Sequence, residues 1–434
     1  MEPGPPAIEP VGASTTIPAA AGEAGTVLRN PNFRRLYIAS VASSAGASIA
    51  IVSISWLVYT TTGSALDVSY VGLAGIAPGI ALGLVAGALA DRYNRRRTML
   101  LSDTSRAILM AGLAGFLFLA GFNLLVILGV LVIVNGFTAL FFPASSAILP
   151  RLVNARELEA ANGLLYGSTQ AAQMLGSAAG GAAIAFAGVV PGLAVNALTY
   201  AISALFVVQI AASFGAIGRP GAPTPARRSL RQDIGEGMAY MRSNTAILEV
   251  TLGFLPGNLF WTMITGFTVV YVAHYFPGSP GAYGYLVAAL GGGFALGALF
   301  ATRLRLRRVA GLTMAVIVVL QGGVAVGLTF SHAYPLSLAL AALLGIGAGA
   351  INTVYFSTVQ AIVPDRVLGR VLSVDQVGSF AGVPAGLLIG GVLATAYGIG
   401  FSYLIAGIAL LANGFVMLAL KDLRGLRYEP GGTT

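Results

Sequence analysis

Apolar residues in this chain come in long runs separated by short polar gaps. A helix needs roughly 20 such residues to cross a bilayer. Twelve runs of that length can be drawn, at about 36–61, 67–90, 98–120, 124–148, 159–187, 190–213, 245–273, 281–302, 309–331, 335–359, 368–397 and 400–420. The pattern predicts an all-α membrane protein of twelve spans. The runs 159–187 and 368–397 exceed the minimum length and are expected to tilt, bend at glycine or project past the bilayer.

The gaps carry the topology. The 24 Lys and Arg residues cluster near the N-terminus and in alternate gaps, and the intervening gaps lack them. Basic residues near span ends stay cytoplasmic, so both termini are expected to be cytoplasmic in a multi-pass inner (plasma) membrane protein. One long polar segment divides the spans into six and six. The expected organisation is a disordered tail at 1–27, a six-helix bundle at 28–213, a linker with an interfacial helix at 214–244, a second bundle at 245–421 and a tail at 422–434. The stretch from Leu28 to Leu36 is basic and amphipathic, suited to lying at the membrane surface before span one.

The halves also resemble each other. Ala147-Ile-Leu-Pro150 after span four matches Ala361-Ile-Val-Pro364 after span ten, 214 residues on (361 minus 147), and Gly87-Ala-Leu89 matches Gly297-Ala-Leu299 at 210 (297 minus 87). Equivalent positions at nearly one offset indicate a duplicated six-helix unit, a transporter design with its substrate site between the halves near mid-membrane.

Composition narrows the chemistry. Hydrophobic residues make up 56% and charged residues 9% of the chain, and mean hydropathy is +0.84, against about 25% charged in soluble domains. The net charge of +9 is assigned to lipid headgroups, not to nucleic acid. Absence of cysteine excludes disulfides and thiol chemistry. His274 and His332 fall in separate external loops, so no metal site is expected. With one lysine, Lys421, and no phosphate-binding glycine loop, an ATP-driven pump is disfavoured. So is an enzyme, and no cofactor is expected.

The loop after span two reads Gly87-Ala-Leu-Ala-Asp91-Arg92-Tyr93-Asn94-Arg95-Arg96-Arg97. Gly87 permits close helix approach, and Asp91 places a negative charge where the positive end of a helix from the other half can be held. This loop resembles the signature loop of the major facilitator superfamily. The stretches Leu28 to Leu36 and Phe142 to Asn162 are similar to the drug:proton antiporter branch that includes macrolide-efflux proteins and the enterobactin exporter. The resemblance implies two pseudo-symmetric six-helix bundles and a conformational latch of Gly87, Asp91, Arg92, Arg95 and Arg96, whose partner is the start of span eleven near Gly369. Asn94 stands where the family has glycine, and is expected to tolerate a positive φ there. The family's exporters also carry spaced glycines and a Gly-Pro on span five. Here Gly163, Gly176, Gly180 and Gly181 match, whereas Ala172 and Ser177 depart from the pattern. Ordinary helix packing explains these glycines equally well.

Ionisable residues inside spans are functional candidates by default. Asp375 and Glu249 are the candidates for proton coupling, and a solvated position at the cavity mouth is the alternative for each. Asp103 and Arg106 are expected to pair at i,i+3, and Asp67 to cap span two from outside. Substrate-cavity candidates are Trp56, Asn135, Gln170, Gln173, Asn258, Trp261, Asn352, Tyr355 and Gln376, with Gln170 and Gln173 on one helix face. The leading expectation is a monomeric secondary transporter exporting a lipophilic or cationic small molecule by alternating access in exchange for protons. A siderophore or metabolite exporter, an uncoupled facilitator, or a lipid-handling or receptor-like protein are the alternatives.

Overall fold

The computed structural model describes residues 26–215, 230–303 and 309–426. Span one is Pro31–Thr62, two Ala65–Arg92, three Arg95–Ala120, four Leu124–Leu152, five Leu158–Ala187 and six Val189–Val208. A linker helix, Leu230–Ser243, follows. Span seven is Thr245–Thr265 plus Thr268–Tyr275, eight Pro280–Arg303, nine Ala310–Thr329 and ten Tyr334–Ile362. Span eleven is Asp365–Phe380 plus Gly382–Tyr397, twelve is Ile399–Ala419, and a short helix Lys421–Gly425 ends the described chain. Twelve crossings put both described ends on the face of the arginine-bearing connections, here termed the basic face.

Eleven of these segments are long and apolar enough to cross a membrane. Span five has the length, 30 residues, but is diluted by Gly, Ala, Ser and amide side chains. It packs on span one and on span eight of the other half.

Asparagines cap spans one, three and seven on the basic face. The Asn30 side chain accepts from the backbone N–H of Asn32 at 3.0 Å and of Phe33 at 3.3 Å, with Pro31 in the first turn. The helix then runs unbroken to Thr62. The stretch expected to lie on the membrane before span one is therefore mostly span one's own first turns, with Phe33 and Leu36 buried against the end of span four. Asn94 also caps: φ is −62° and its side chain accepts from Arg97 N–H at 3.1 Å. The expected need for a positive φ at Asn94 is thus corrected, because the residue begins span three and does not form a left-handed turn. Asn94→Ala is expected to lower stability by about 1 kcal/mol, read as a lower thermal unfolding midpoint of the purified protein. Span two is capped by Ser64, whose hydroxyl accepts from Asp67 N–H at 3.2 Å. Asp67 lies in the first turn, where its charge suits the helix dipole, but it is not the cap.

Pro384 explains the break in span eleven. A proline ring clashes with the carbonyl four residues back, here Phe380, where the first piece ends.

Spans one, five and six pack together as seven, eleven and twelve do; two packs on four as eight on ten, and three on six as nine on twelve. This correspondence is the pseudo-symmetry anticipated from the two matched strings. The linker helix packs against the first piece of span eleven: Arg370 pairs with Glu236, Gly237 lies on the Arg370 carbonyl, and Met241 is buried. Its apolar face is thus at least partly occupied by protein.

The halves meet on the face opposite the basic one. Ser69 donates to the Leu387 carbonyl at 2.8 Å and Leu66 N–H to Thr395 Oγ1 at 3.1 Å, joining span two to span eleven. Gly181 of span five lies against Gly284 of span eight, and Trp56 stacks on Tyr283 with centroids 6.4 Å apart. Toward the basic face, Gly75 and Gly79 of span two and Gly163 and Gly167 of span five have open space where a side chain would be. The bundle is closed on one face and splayed toward the other.

Arg106 is not in a loop but twelve residues into span three and 2% exposed. It pairs with Asp103, as the i,i+3 spacing predicted, and Ser203 of span six donates to the same carboxylate at 2.7 Å. The guanidinium sits between the rings of Phe141 (4.7 Å) and Tyr200 (4.4 Å). Arg106→Met would leave Asp103 buried and unpaired, at a cost of about 3–5 kcal/mol. The double variant with Asp103→Asn is expected to recover most of that loss in thermal unfolding.

Candidate functional site

Between the halves lies a cavity of about 830 Å³, lined by residues of both bundles. Asn135, Gln173, Asn258, Trp261, Asn352 and Tyr355 line it, as the sequence suggested, and so does Asp375. Trp56 and Gln170 do not. Trp56 belongs to the closure against Tyr283. Gln170 is half-buried beside the cavity, because one helical turn toward the basic face rotates it away from the wall that Gln173 forms. The side chains of Gln376, Gly87, Asp91 and Arg92 lie outside the described residues. Of the remaining latch residues, Arg96 donates to the Val208 carbonyl, tying the start of span three to the end of span six, and Arg95 also makes a contact.

The glycines of span five divide by role. Gly176 and Gly180 let the helix settle on the backbone of span one at Ala45 and Ile49, whereas Gly181 faces Gly284 across the two halves. Gly163 touches nothing and is exposed, so the packing expected of it is absent. Gly382 and Gly386 repeat the arrangement of Gly176 and Gly180 on span seven, against Leu255 and Leu259.

Asp375 sits in the first piece of span eleven, six residues before the break at Ala381. It is 4% exposed, although it had been weighed as a solvated acid at the cavity mouth. Three hydroxyls donate to it: Tyr355 Oη from span ten, Thr251 Oγ1 from span seven at 2.5 Å, and Ser379 Oγ at 3.3 Å. Among the described residues no arginine, lysine or histidine pairs with it. Hydroxyls can donate to a carboxylate or accept from a carboxylic acid, so the shell suits either protonation state. Around this group Phe254 meets Tyr355 edge-on at 5.1 Å, Trp261 and Phe380 complete an aromatic wall, and Asn258 donates to the Ser379 carbonyl at 3.0 Å. Carboxylate and ring faces together attract cations.

Glu249 has a different place. Its carboxylate accepts the Leu423 N–H at 2.7 Å, at the start of the short helix after span twelve, and it is absent from the cavity wall. The two histidines flank Tyr275, with ring centroids 4.8 and 5.1 Å from it; among the described residues no group of His, Asp and Glu could hold a metal ion. Sequence reasoning missed Thr251, Phe254, Asn196, Tyr200 and Ser379. Thr251 and Ser379 carry no sequence signal, whereas an amide inside an apolar run was available as a clue at Asn196.

The fold is shared with solved transporters at low identity. The nucleoside transporter NupG superposes with a TM-score of 0.71 at 14% identity, covering 89% of this chain and 98% of that one. A bacterial homologue of the iron transporter ferroportin in an inward-facing state gives 0.68 at 15% identity over 89% and 98%. In sequence, the multidrug efflux pump Tap of Mycobacterium tuberculosis is 27% identical over 409 residues, 93% of this chain and 96% of Tap. The enterobactin exporter EntS of Shigella boydii is 28% identical over 420 residues, 93% and 95%. The model of the family described as transmembrane secretion effectors matches residues 24–426. This twelve-span chain, with its cavity between two pseudo-symmetric bundles, belongs to that family of the major facilitator superfamily.

Proposed function

We propose that the protein exports a lipophilic or cationic small molecule across the plasma membrane in exchange for protons. The observation that carries this reading is Asp375, a carboxylate on the cavity wall with three hydroxyl donors and no cationic partner among the described residues. A proton or a cationic substrate can neutralise it, and the two compete. With the basic face taken as cytoplasmic by the positive-inside rule, the conformation described opens toward the cytoplasm. A substrate entering there displaces the proton from Asp375 to the cytoplasmic side. After the bundles rock, a proton from outside releases the substrate outward, and the protonated carrier returns. The Asp91 loop would latch the cytoplasmic side in the outward-open state. The likeness to a multidrug efflux pump supports export.

The test is proton movement in inverted membrane vesicles energised to an inside-acid gradient, with lipophilic cations, macrolides, tetracyclines and siderophores added singly. Gradient dissipation by a compound, absent from vesicles without the protein, is the expected result. Labelled compound accumulating without proton movement means an uncoupled facilitator. No response of either kind favours a lipid-handling or receptor-like role.

A further inference from the structure

Spans three and six form the rear of the N-terminal bundle, yet the cavity reaches them. Met110 of span three and Asn196 and Tyr200 of span six line it together with Leu131 and Asn135 of span four. The cavity therefore extends as a recess behind spans one and four. Asn196 is 1% exposed, and neither its Nδ2 nor its Oδ1 has a hydrogen-bond partner. A buried amide with both donor and acceptor unmet is costly in a folded protein.

The other half shows what a structural amide does in the same setting. The matching recess there reaches Val318, Gln321 and Leu410 of spans nine and twelve. Gln321 donates to the Leu344 carbonyl at 3.1 Å, and Asn413 of span twelve donates to the Gly253 carbonyl at 3.0 Å. Each has its amide N–H met by a backbone carbonyl; Asn196 has neither its N–H nor its oxygen met.

The recess is also electrically distinct from the Asp375 wall. One face of Tyr200 already holds the Arg106 guanidinium, and that charge is balanced by Asp103. A second cation gains little from a ring polarised in this way, and among the described residues lining the recess an anion finds no unbalanced positive charge.

We infer that Asn196 is a specificity-determining residue, receiving a neutral group of the substrate that both donates and accepts hydrogen bonds, such as a carboxamide or a hydroxyl beside a carbonyl. The inference rests on the reading of the cavity as the transport site. It defines the cargo as two-ended, with its cationic or apolar end on the Asp375 and aromatic wall and its neutral polar end in the recess.

A matched pair of probes tests this: benzyltriphenylphosphonium and its 4-carbamoylbenzyl analogue, which share a cation and differ by one carboxamide. Binding is followed by tryptophan fluorescence of the purified protein, Trp261 lying on the cavity wall. The wild type is expected to prefer the carbamoyl compound, and Asn196→Leu to lose that preference by about two- to tenfold while still binding the benzyl compound. Asn196→Ser, smaller and still able to donate and accept, is expected to keep part of the preference. The benzyl compound reports a folded cavity in each variant. Equal loss for both compounds, or an unchanged preference, would overturn the assignment of Asn196 while leaving the transport reading intact. Failure of the wild type to bind either compound would overturn both.

Discussion

Asp375→Asn is expected to give a folded protein that binds neutral compounds but no longer exchanges protons for cationic ones. The amide is nearly isosteric with the carboxylate. Its oxygen can still accept from Thr251 and Ser379, and its NH₂ can donate to the Tyr355 oxygen, so the contacts that join spans seven, ten and eleven survive. What is lost is the capacity to hold a proton and the negative charge that attracts a cation. In inverted vesicles, substrate-driven dissipation of the proton gradient should fall to background while neutral compounds still cross down their own gradient. Asp375→Glu retains the chemistry but lengthens the side chain in a full shell, so it should show reduced yet measurable exchange. Retained exchange in the Asn variant would move the coupling site elsewhere.

Gly181→Ala is expected to shift the conformational equilibrium away from the state described here. A Cβ at Gly181 would lie 2.6 Å from the Gly284 Cα and 2.7 Å from its N. Both are backbone atoms, so neither can move aside without displacing a span. The clash exists only where spans five and eight of the two halves meet. By contrast, the gain in helix propensity from Gly to Ala, about 1 kcal/mol, applies in every state and cancels. Overpacking of about 1–3 kcal/mol corresponds to a population change of about five- to 150-fold. The absence of cysteine from the chain makes the readout clean. Spin labels on Thr61→Cys and Tyr397→Cys, both exposed on the face opposite the basic one, should report a longer distance in the alanine variant. An unchanged distribution would mean that the glycine contact does not control closure.

The spans and their topology were legible because crossing a membrane imposes a length and a hydropathy that each run carries by itself. The site was only partly legible because it depends on helix rotation and on partners far away in sequence. Gln170 and Gln173 share a face by spacing, yet only Gln173 reaches the cavity wall. Glu249 and Asp375 look alike as lone acids in apolar runs; one meets a helix start 174 residues away and the other meets hydroxyls from spans seven and ten. Asn196 and Asn413 are likewise indistinguishable in sequence, and only packing decides which amide is satisfied. Asn94 was read as a turn residue because the loop it resembles has glycine there, but an asparagine placed just before a helical run, with its side chain in reach of the N–H three residues on, made a cap equally readable.

Proton release on substrate binding tests the account most directly. Purified protein in weakly buffered detergent solution, given tetraphenylphosphonium, should release protons as the cation binds. The release should approach about one per site where the free site is protonated, vary with pH, and be absent from Asp375→Asn. Cation binding to the wild type with no proton release at any pH would contradict competition at Asp375, and with it the proposed exchange.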